Sequence, residues 1–115
     1  MPVMQNTHIY KITKNSPSLW LKNFPWKQRK SHKYSRGRVV IYGGKKELIG
    51  ATILSSLAAL KTGTGSVKII CSKSTINTYS VKFPSALKVE INSISELKKF
   101  LKKEKITSIL IGPGA

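Results

Sequence analysis

The feature that most constrains the fold is a regular alternation of short apolar runs with segments of helical periodicity, from Gly37 to residue 111. The apolar runs are rich in Val and Ile. Strands that alternate with helices are joined by crossover connections, so this order predicts βαβ units and a mostly parallel sheet. In such a sheet, ligands bind beyond the carboxyl ends of the strands.

Four runs are predicted to be strands. Residues 38–42 are followed by Gly43-Gly44, and residues 67–71 follow a tight glycine turn. Residues 87–91 alternate apolar and charged side chains, which predicts an edge strand with one covered face. Residues 108–111 are apolar enough to predict a fully buried central strand.

Two segments carry strong helical signals. Residues 48–62 place apolar side chains three and four positions apart, with Gly63 positioned to cap the carboxyl end. The predicted buried stripe comprises Ile49, Ile53, Leu54, Leu57, Ala58 and Leu60. In the second segment, Ser93 and Glu96 have the spacing of a capping box. Its predicted apolar face comprises Ile94, Leu97, Phe100 and Leu101, with lysines on the other face. A shorter helical segment is expected near residues 75–80.

Residues 1–31 lack this order and are predicted to form an N-terminal arm, which leaves 32–115 as the domain. An apolar patch at Leu19, Leu21, Phe24 and Trp26 predicts about one helical turn within the arm. No apolar stretch has the length of a membrane span, and the first residues lack the apolar region of a signal peptide. We therefore expect a soluble, cytoplasmic protein without a membrane partner.

The charge balance is strongly basic: 21 Lys and Arg face four acids, for a formal net charge of +17. One interpretation is a small nucleic-acid-binding protein that uses the stretch KQRKSHKYSRGR with Trp20, Trp26 and Tyr34 nearby. The other is a compositional bias, since 18 of the basic residues are Lys and they are spread along the whole chain. We favour the second, because no single element gathers the charge.

Residues suited to acid–base chemistry are few. The sequence contains no Asp, and its four Glu form no pair or metal-ligand spacing. Glu47 is the only acid in a loop expected to face a ligand, and Cys71 is expected to be a buried apolar residue. The glycine turn at 43–44 matches neither the dinucleotide fingerprint nor the P-loop. We therefore expect no catalytic or metal-binding residue among these positions.

The order of motifs nevertheless resembles one family. The motifs are, in order, a His-Lys pair, a strand ended by Gly-Gly, a Gly-Ala pair that opens a helix, a G-x-G before the next strand and a late Gly-Pro-Gly. This order resembles that of the ADP- or ATP-dependent NAD(P)H-hydrate dehydratases, which are ribokinase-like. The matching residues are His32, Lys33, Gly37, Val39, Gly43, Gly44, Gly50, Ala51, Ala58, Ala59, Gly63, Gly65 and Ile111-Gly112-Pro113-Gly114. The resemblance implies a partial ribokinase-like domain with about four strands.

The resemblance also implies a function. These enzymes restore hydrated NADH and NADPH (NADHX and NADPHX) to the normal cofactors, using ADP or ATP with Mg²⁺. Substrate contacts are implied at strand ends and at the start of the first helix: Gly43, Gly44, Gly50, Ala51, Gly112 and Gly114.

Two departures from the family lead to a further expectation. The family's catalytic Asp and its nucleotide-binding loops lie in the second half of the domain, whereas this sequence ends at Ala115 and has no Asp. Lys45, Lys46 and Glu47 also replace the usual small residues after Gly-Gly. We therefore expect an N-terminal portion of the domain that is inactive on its own and is completed, if at all, by a separately encoded C-terminal half.

Overall fold

The computed structural model describes residues 11–26 and 28–112. In this part of the chain, four parallel strands form one sheet: β1 (Arg38–Tyr42), β2 (Ser66–Cys71), β3 (Leu87–Glu90) and β4 (Ser108–Leu110). They are connected by three α-helices: α1 (Ile49–Lys61), α2 (Ile76–Lys82) and α3 (Ile94–Lys103). Short 3₁₀ turns lie at Pro17–Leu19, Leu21–Asn23 and Lys46–Leu48. The predicted α/β class and the four-stranded parallel sheet are confirmed.

The strands follow the order β3-β2-β1-β4 across the sheet. The chain therefore moves outward from β1 through β2 to β3 and then returns past both to pair β4 with the free side of β1. Because parallel crossovers are right-handed, this reversal of direction requires the returning helix to lie on the opposite face of the sheet.

The two faces carry separate apolar clusters. On one face, α1 and α2 pack against β1 and β2 through Ile41, Ile69, Tyr79 and Phe83. On the other face, Leu97 and Phe100 of α3 pack against Val40, Ile70 and Ile91. The central strands β1 and β2 are covered on both sides, as their continuous apolar sequences predict. Cys71 is buried, as expected.

The prediction for β4 is wrong in one respect. Residues 108–110 form a strand, but it lies at an edge of the described sheet and all three residues are exposed. Ile109 and Leu110 are 43% and 41% exposed, and Ile111 is 64% exposed. Within the described residues, no strand pairs with the outer side of β4. Its composition is that of a buried strand, although its surroundings here are those of an edge.

The buried face of α1 also differs from the prediction. Ile49, Ile53 and Leu60 pack on the core, but Leu54, Leu57 and Ala58 are exposed. The fully buried positions of this helix are instead polar, Thr52 and Ser56. The helix is rotated relative to the expected stripe because Thr52 has a hydrogen-bonding role in the turn after β1, described below.

The predicted helix ends are confirmed. Gly63 follows α1 with φ of 95°, and its N–H donates to the Leu60 carbonyl at 3.1 Å, as in a glycine-terminated helix. At the start of α3, the Ser93 hydroxyl accepts from the Glu96 N–H at 3.2 Å. The Glu96 carboxylate in turn accepts from the Asn92 N–H at 2.8 Å. The start of α3 is therefore fixed by side chains that precede and follow its first turn.

The core face of α3 is narrower than predicted. Leu97 and Phe100 contact the sheet, whereas Ile94 is 73% and Leu101 39% exposed. At the carboxyl end of the helix, the Glu104 carboxylate pairs with Lys68 of β2 at 2.8 Å. This hydrogen-bonded pairing lowers the pKa of Glu104.

In the arm, ring contacts join Phe24 and Trp26 of the expected apolar patch and also Trp20, whereas Leu19 and Leu21 are exposed. The Phe24 ring lies 5.8 Å from that of Trp20 and 4.7 Å from that of Trp26, between centroids. The domain boundary at residue 31 stays a prediction. Among the helices of the described residues, none is both long and apolar enough to cross a membrane.

The capping box provides a test of the fold. Replacing Ser93 with Ala removes the acceptor for the Glu96 N–H, and we expect it to lower the free energy of unfolding by about 0.5–2 kcal/mol. Urea unfolding followed by circular dichroism measures the change. Ser95→Ala, two residues into the same helix and exposed, is the matched control and should change stability by less than about 0.5 kcal/mol. Equal losses in both variants would contradict a capping role for Ser93.

Candidate functional site

The direction in which successive strands are added to the sheet reverses between β1 and β4, and glycines follow both strands. β1 ends at Tyr42 and continues into Gly43-Gly44, while β4 ends at Leu110, two residues before Gly112. The register pairs Ile41 with Leu110. If this pairing continues for two more residues along both strands, Gly112 lies opposite Gly43. In open α/β sheets the crevice at such a reversal is where ligands bind, so this edge is the candidate site.

Buried side chains fix the backbone of Gly44. Its N–H donates to the Thr52 hydroxyl at 3.0 Å, and its carbonyl accepts from the Tyr79 hydroxyl at 2.9 Å. Thr52 and Tyr79 are both fully buried. Burial raises the pKa of the Tyr79 phenol, so the hydroxyl keeps its proton and remains a donor. We call Gly44, Thr52 and Tyr79 the turn clamp; it links the loop after β1 to α1 and α2.

Gly43 is required by close packing. Its N–H extends the β1–β2 ladder by donating to the Ile70 carbonyl at 2.8 Å. A Cβ at this position would lie 2.9 Å from the Ile70 carbonyl oxygen and 3.0 Å from the Tyr79 hydroxyl. A side chain here would therefore push against both the sheet and the turn clamp.

The other expected contact residues are placed as follows. Gly50 and Ala51 lie exposed in the first turn of α1, at the end of the helix that faces the Gly43-Gly44 turn. A Cβ at Gly50 would meet no atom within 4 Å. Gly112 follows β4 with φ of 135°, a conformation that favours glycine, whereas Gly114 lies outside the described residues. Five of the six positions thus lie on the carboxyl edge of β1 and β4, and their contact with substrate remains a prediction.

A cavity opens beside the Gly43-Gly44 turn, at the carboxyl ends of β1 and β2, and Ile91 after β3 also lines it. Its volume is about 440 Å³. Ile70, Cys71 and Ile91 form an apolar floor, with lysines and hydroxyl groups at the rim: Lys45, Lys46, Ser72, Ser74 and Thr75. A second cavity of about 330 Å³ shares Tyr42, Ser72 and Ile91 with the first and continues toward the start of α3. Together they form one cleft, which we call the side cleft.

The side cleft is suited to binding rather than to bond chemistry. Cys71 is a nucleophilic residue in the floor of the cleft, but its thiol donates to the Val89 carbonyl at 3.8 Å. Burial, reinforced by the neighbouring Glu90 carboxylate, raises the pKa of this thiol, so the reactive thiolate is disfavoured. His32 lies in a separate turn, where its ring nitrogen Nδ1 accepts from the Ser35 N–H at 3.3 Å.

Sequence reasoning missed the turn clamp and the side cleft. Thr52 and Ser56 follow Ile49 at intervals of three and four, which is the one periodic signal that could have placed them on the buried face. Tyr79 gave no such signal, because its hydroxyl reaches a carbonyl 35 residues earlier in the chain. The cleft depends on how three separate loops come together.

Gly43→Ala tests the packing of the turn. We expect it to lower the free energy of unfolding by about 1–3 kcal/mol, because the added methyl group overpacks the contact with Ile70 and Tyr79. Gly50→Ala is the matched control and should leave stability unchanged or raise it by up to ~1 kcal/mol, because its methyl group meets open space in a helix. Urea unfolding measures both. Equal midpoints for Gly43→Ala and the wild-type chain would contradict the close contact.

Comparison with solved structures places this fold beside known enzymes. The Bacillus subtilis ADP/ATP-dependent NAD(P)H-hydrate dehydratase, co-crystallised with ATP/Mg²⁺, matches with a TM-score of 0.62 and 28% identity, over 79% of this chain and 32% of that one. A ribokinase-like superfamily protein from Enterococcus faecalis matches with the same TM-score and 29% identity, over 77% and 31% of the two chains. The predicted ribokinase-like fold is confirmed.

Sequence comparisons agree. The ADP-dependent (S)-NAD(P)H-hydrate dehydratase of Staphylococcus aureus is 32% identical over 92 residues, which cover 80% of this chain and 33% of the relative. The Streptococcus pneumoniae enzyme of the same name is 33% identical over 88 residues. The chain thus spans about one third of the length of the curated relatives it matches. A family model described as NAD(P)H-hydrate dehydratase matches residues 39–115. The chain therefore belongs to the NAD(P)H-hydrate dehydratase family.

Proposed function

We propose that these 115 residues form one wall of the substrate site in an enzyme that dehydrates NADHX and NADPHX. The observation that carries this proposal is the reversal of strand order between β1 and β4, with glycine turns on both sides, in a chain of this family. Relatives matched over most of this chain are named as dehydratases of these hydrated cofactors.

In this proposal the turns act through their backbone. At Gly112 a Cβ would meet no atom within 4 Å, so a ligand can approach the main chain closely there. The Gly43-Gly44 turn shapes the facing wall, since the space beside Gly43 is filled by Ile70 and Tyr79. The turn clamp holds Gly44 in place before the ligand arrives, which lowers the cost of ordering the site. Ala51 and Gly50 supply a small surface at the start of α1, and Gly114, outside the described residues, stays a predicted contact.

The described residues do not fit a Mg²⁺-bound ADP or ATP. Mg²⁺ takes carboxylate and phosphate oxygens as ligands. Of the four Glu side chains, Glu96 accepts from the Asn92 N–H, Glu90 from the Asn92 side chain, and Glu104 is paired with Lys68. Glu47 lies on the rim of the side cleft. No group of three metal-binding side chains occurs in the described ranges. We therefore assign the nucleotide, the metal ion and the general base to polypeptide outside these 115 residues.

The outer side of β4 is where that polypeptide would join. Ile109, Leu110 and Ile111 present apolar side chains at an edge that lacks a partner strand within the described residues. The opposite edge, β3, is protected by the charged residues Lys88 and Glu90. A parallel strand added to β4 would cover the apolar side chains and complete the crevice beside Gly112. With a net charge of +17, this chain favours an acidic partner.

The activity is tested by complementation. The chain is mixed with a separately purified polypeptide that corresponds to the part of the Bacillus subtilis dehydratase beyond the matched segment. NADHX, Mg²⁺ and either ADP or ATP are added, and NADH formation is followed by absorbance. We expect NADH only from the mixture. NADH formation by the chain alone would contradict the division of roles, and a stable complex that never forms NADH would contradict the proposed function.

The joining surface is tested by substitution. Leu110→Lys places a charge on the apolar edge of β4, and we expect it to weaken complex formation in sedimentation experiments at least tenfold, because burying an unpaired charge costs several kcal/mol (order of magnitude). Leu87→Lys, on the opposite edge strand and also exposed, is the control and should assemble normally. Equal assembly of both variants would show that β4 is not the joining edge.

A further inference from the structure

We propose that the side cleft binds the adenosine monophosphate half of the dinucleotide substrate, while the crevice between β1 and β4 holds the hydrated nicotinamide half. This inference rests on the proposed function and specifies how the substrate lies across the site. It is carried by the position, the size and the chemistry of the cleft.

The position follows from the Gly43-Gly44 turn. On one side of the turn lies β4 with Gly112, and on the other lie β2 and β3 with the cleft. The cleft and Gly112 both lie at the carboxyl edge of the same parallel sheet. A dinucleotide has two ring systems joined by a pyrophosphate, so it can cross the turn and place one ring system on each side.

The size and lining suit a planar base with its ribose. The larger cavity, about 440 Å³, falls within the range of about 300–1,000 Å³ found for small-molecule pockets. Ile70 is 1% and Ile91 9% exposed, so the floor is apolar and closely packed. The base would lie on this floor, where burial of its apolar surface is favourable.

The wall after β2 carries hydroxyl groups held in a fixed arrangement. The Ser72 and Ser74 hydroxyls lie 2.8 Å apart, and the Ser72 and Thr75 hydroxyls 3.2 Å apart. The Thr75 hydroxyl also donates to the Ser72 carbonyl at 3.2 Å. Hydroxyls can both donate and accept, which matches the hydroxyl groups of a ribose.

The wall after β1 carries the charge. Lys45 and Lys46 are exposed at the rim, directly after the turn that the substrate would cross. Glu47 is the single acid among the residues that line this cavity. Two ammonium groups beside one carboxylate leave an excess positive charge where the phosphate of the adenosine half would lie.

The test measures AMP binding to the intact 115-residue chain by calorimetry and by amide shifts in NMR spectra. We expect AMP to bind and to shift the amides of Tyr42, Ser72 and Ile91. Lys45→Ala with Lys46→Ala should weaken binding about tenfold or more. The control is Lys102→Ala with Lys103→Ala, which removes the same charge from the far end of α3 and should leave binding unchanged.

Three results would overturn the inference: no AMP binding by the wild-type chain, equal weakening in the two double variants, or binding of inorganic phosphate as tight as that of AMP. Equal weakening would mean that AMP responds only to net charge. AMP binding to the 115-residue chain alone therefore tests this inference. Failure of the proposed function is seen separately, as a lack of NADH formation in the complemented mixture.

Discussion

The turn clamp is the interaction on which the rest of the site depends. It joins the loop after β1 to both helices on one face of the sheet through two hydrogen bonds to a single residue, Gly44. An unpaired buried N–H or carbonyl costs about 1–3 kcal/mol, so Thr52 and Tyr79 are needed wherever this turn is sealed from water. Their presence explains why the core face of α1 is partly polar and why Gly43 has no space for a side chain.

Much of the fold could be predicted because local signals agree with it. The limits of β1, the glycine end of α1 and the capping box of α3 depend on residues a few positions apart, and all three are confirmed. The buried face of α1 was predicted less well. Hydrophobic periodicity favours Leu54 and Leu57, whereas the observed orientation is set by Thr52, whose partners lie in other elements. Contacts that depend on tertiary structure leave little trace in a short window of sequence.

The two edge strands of the sheet differ in composition, and composition alone did not reveal that β4 lies at an edge. β3 carries charged residues and ends the sheet as an ordinary edge strand. β4 has the apolar composition of an interior strand, and from that composition it was predicted to be central. An apolar strand is suited to a buried environment. The exposed Ile109 and Leu110 therefore fit the proposed contact between β4 and another polypeptide. For the candidate site, sequence identified the glycine turns but not the cleft, since three loops create it.

The connection between the starts of β1 and β4 also bears on how the chain folds. Thr107 accepts from the Arg38 N–H at 2.8 Å and donates to the Arg38 carbonyl at 3.0 Å, between residues 69 positions apart. β1 can pair with β2 as soon as α1 has formed. Pairing of β1 with β4 requires a much longer loop to close. Closing such a loop is slow compared with forming local contacts. Of the four described strands, β4 is therefore the last that we expect to pair with β1 during synthesis.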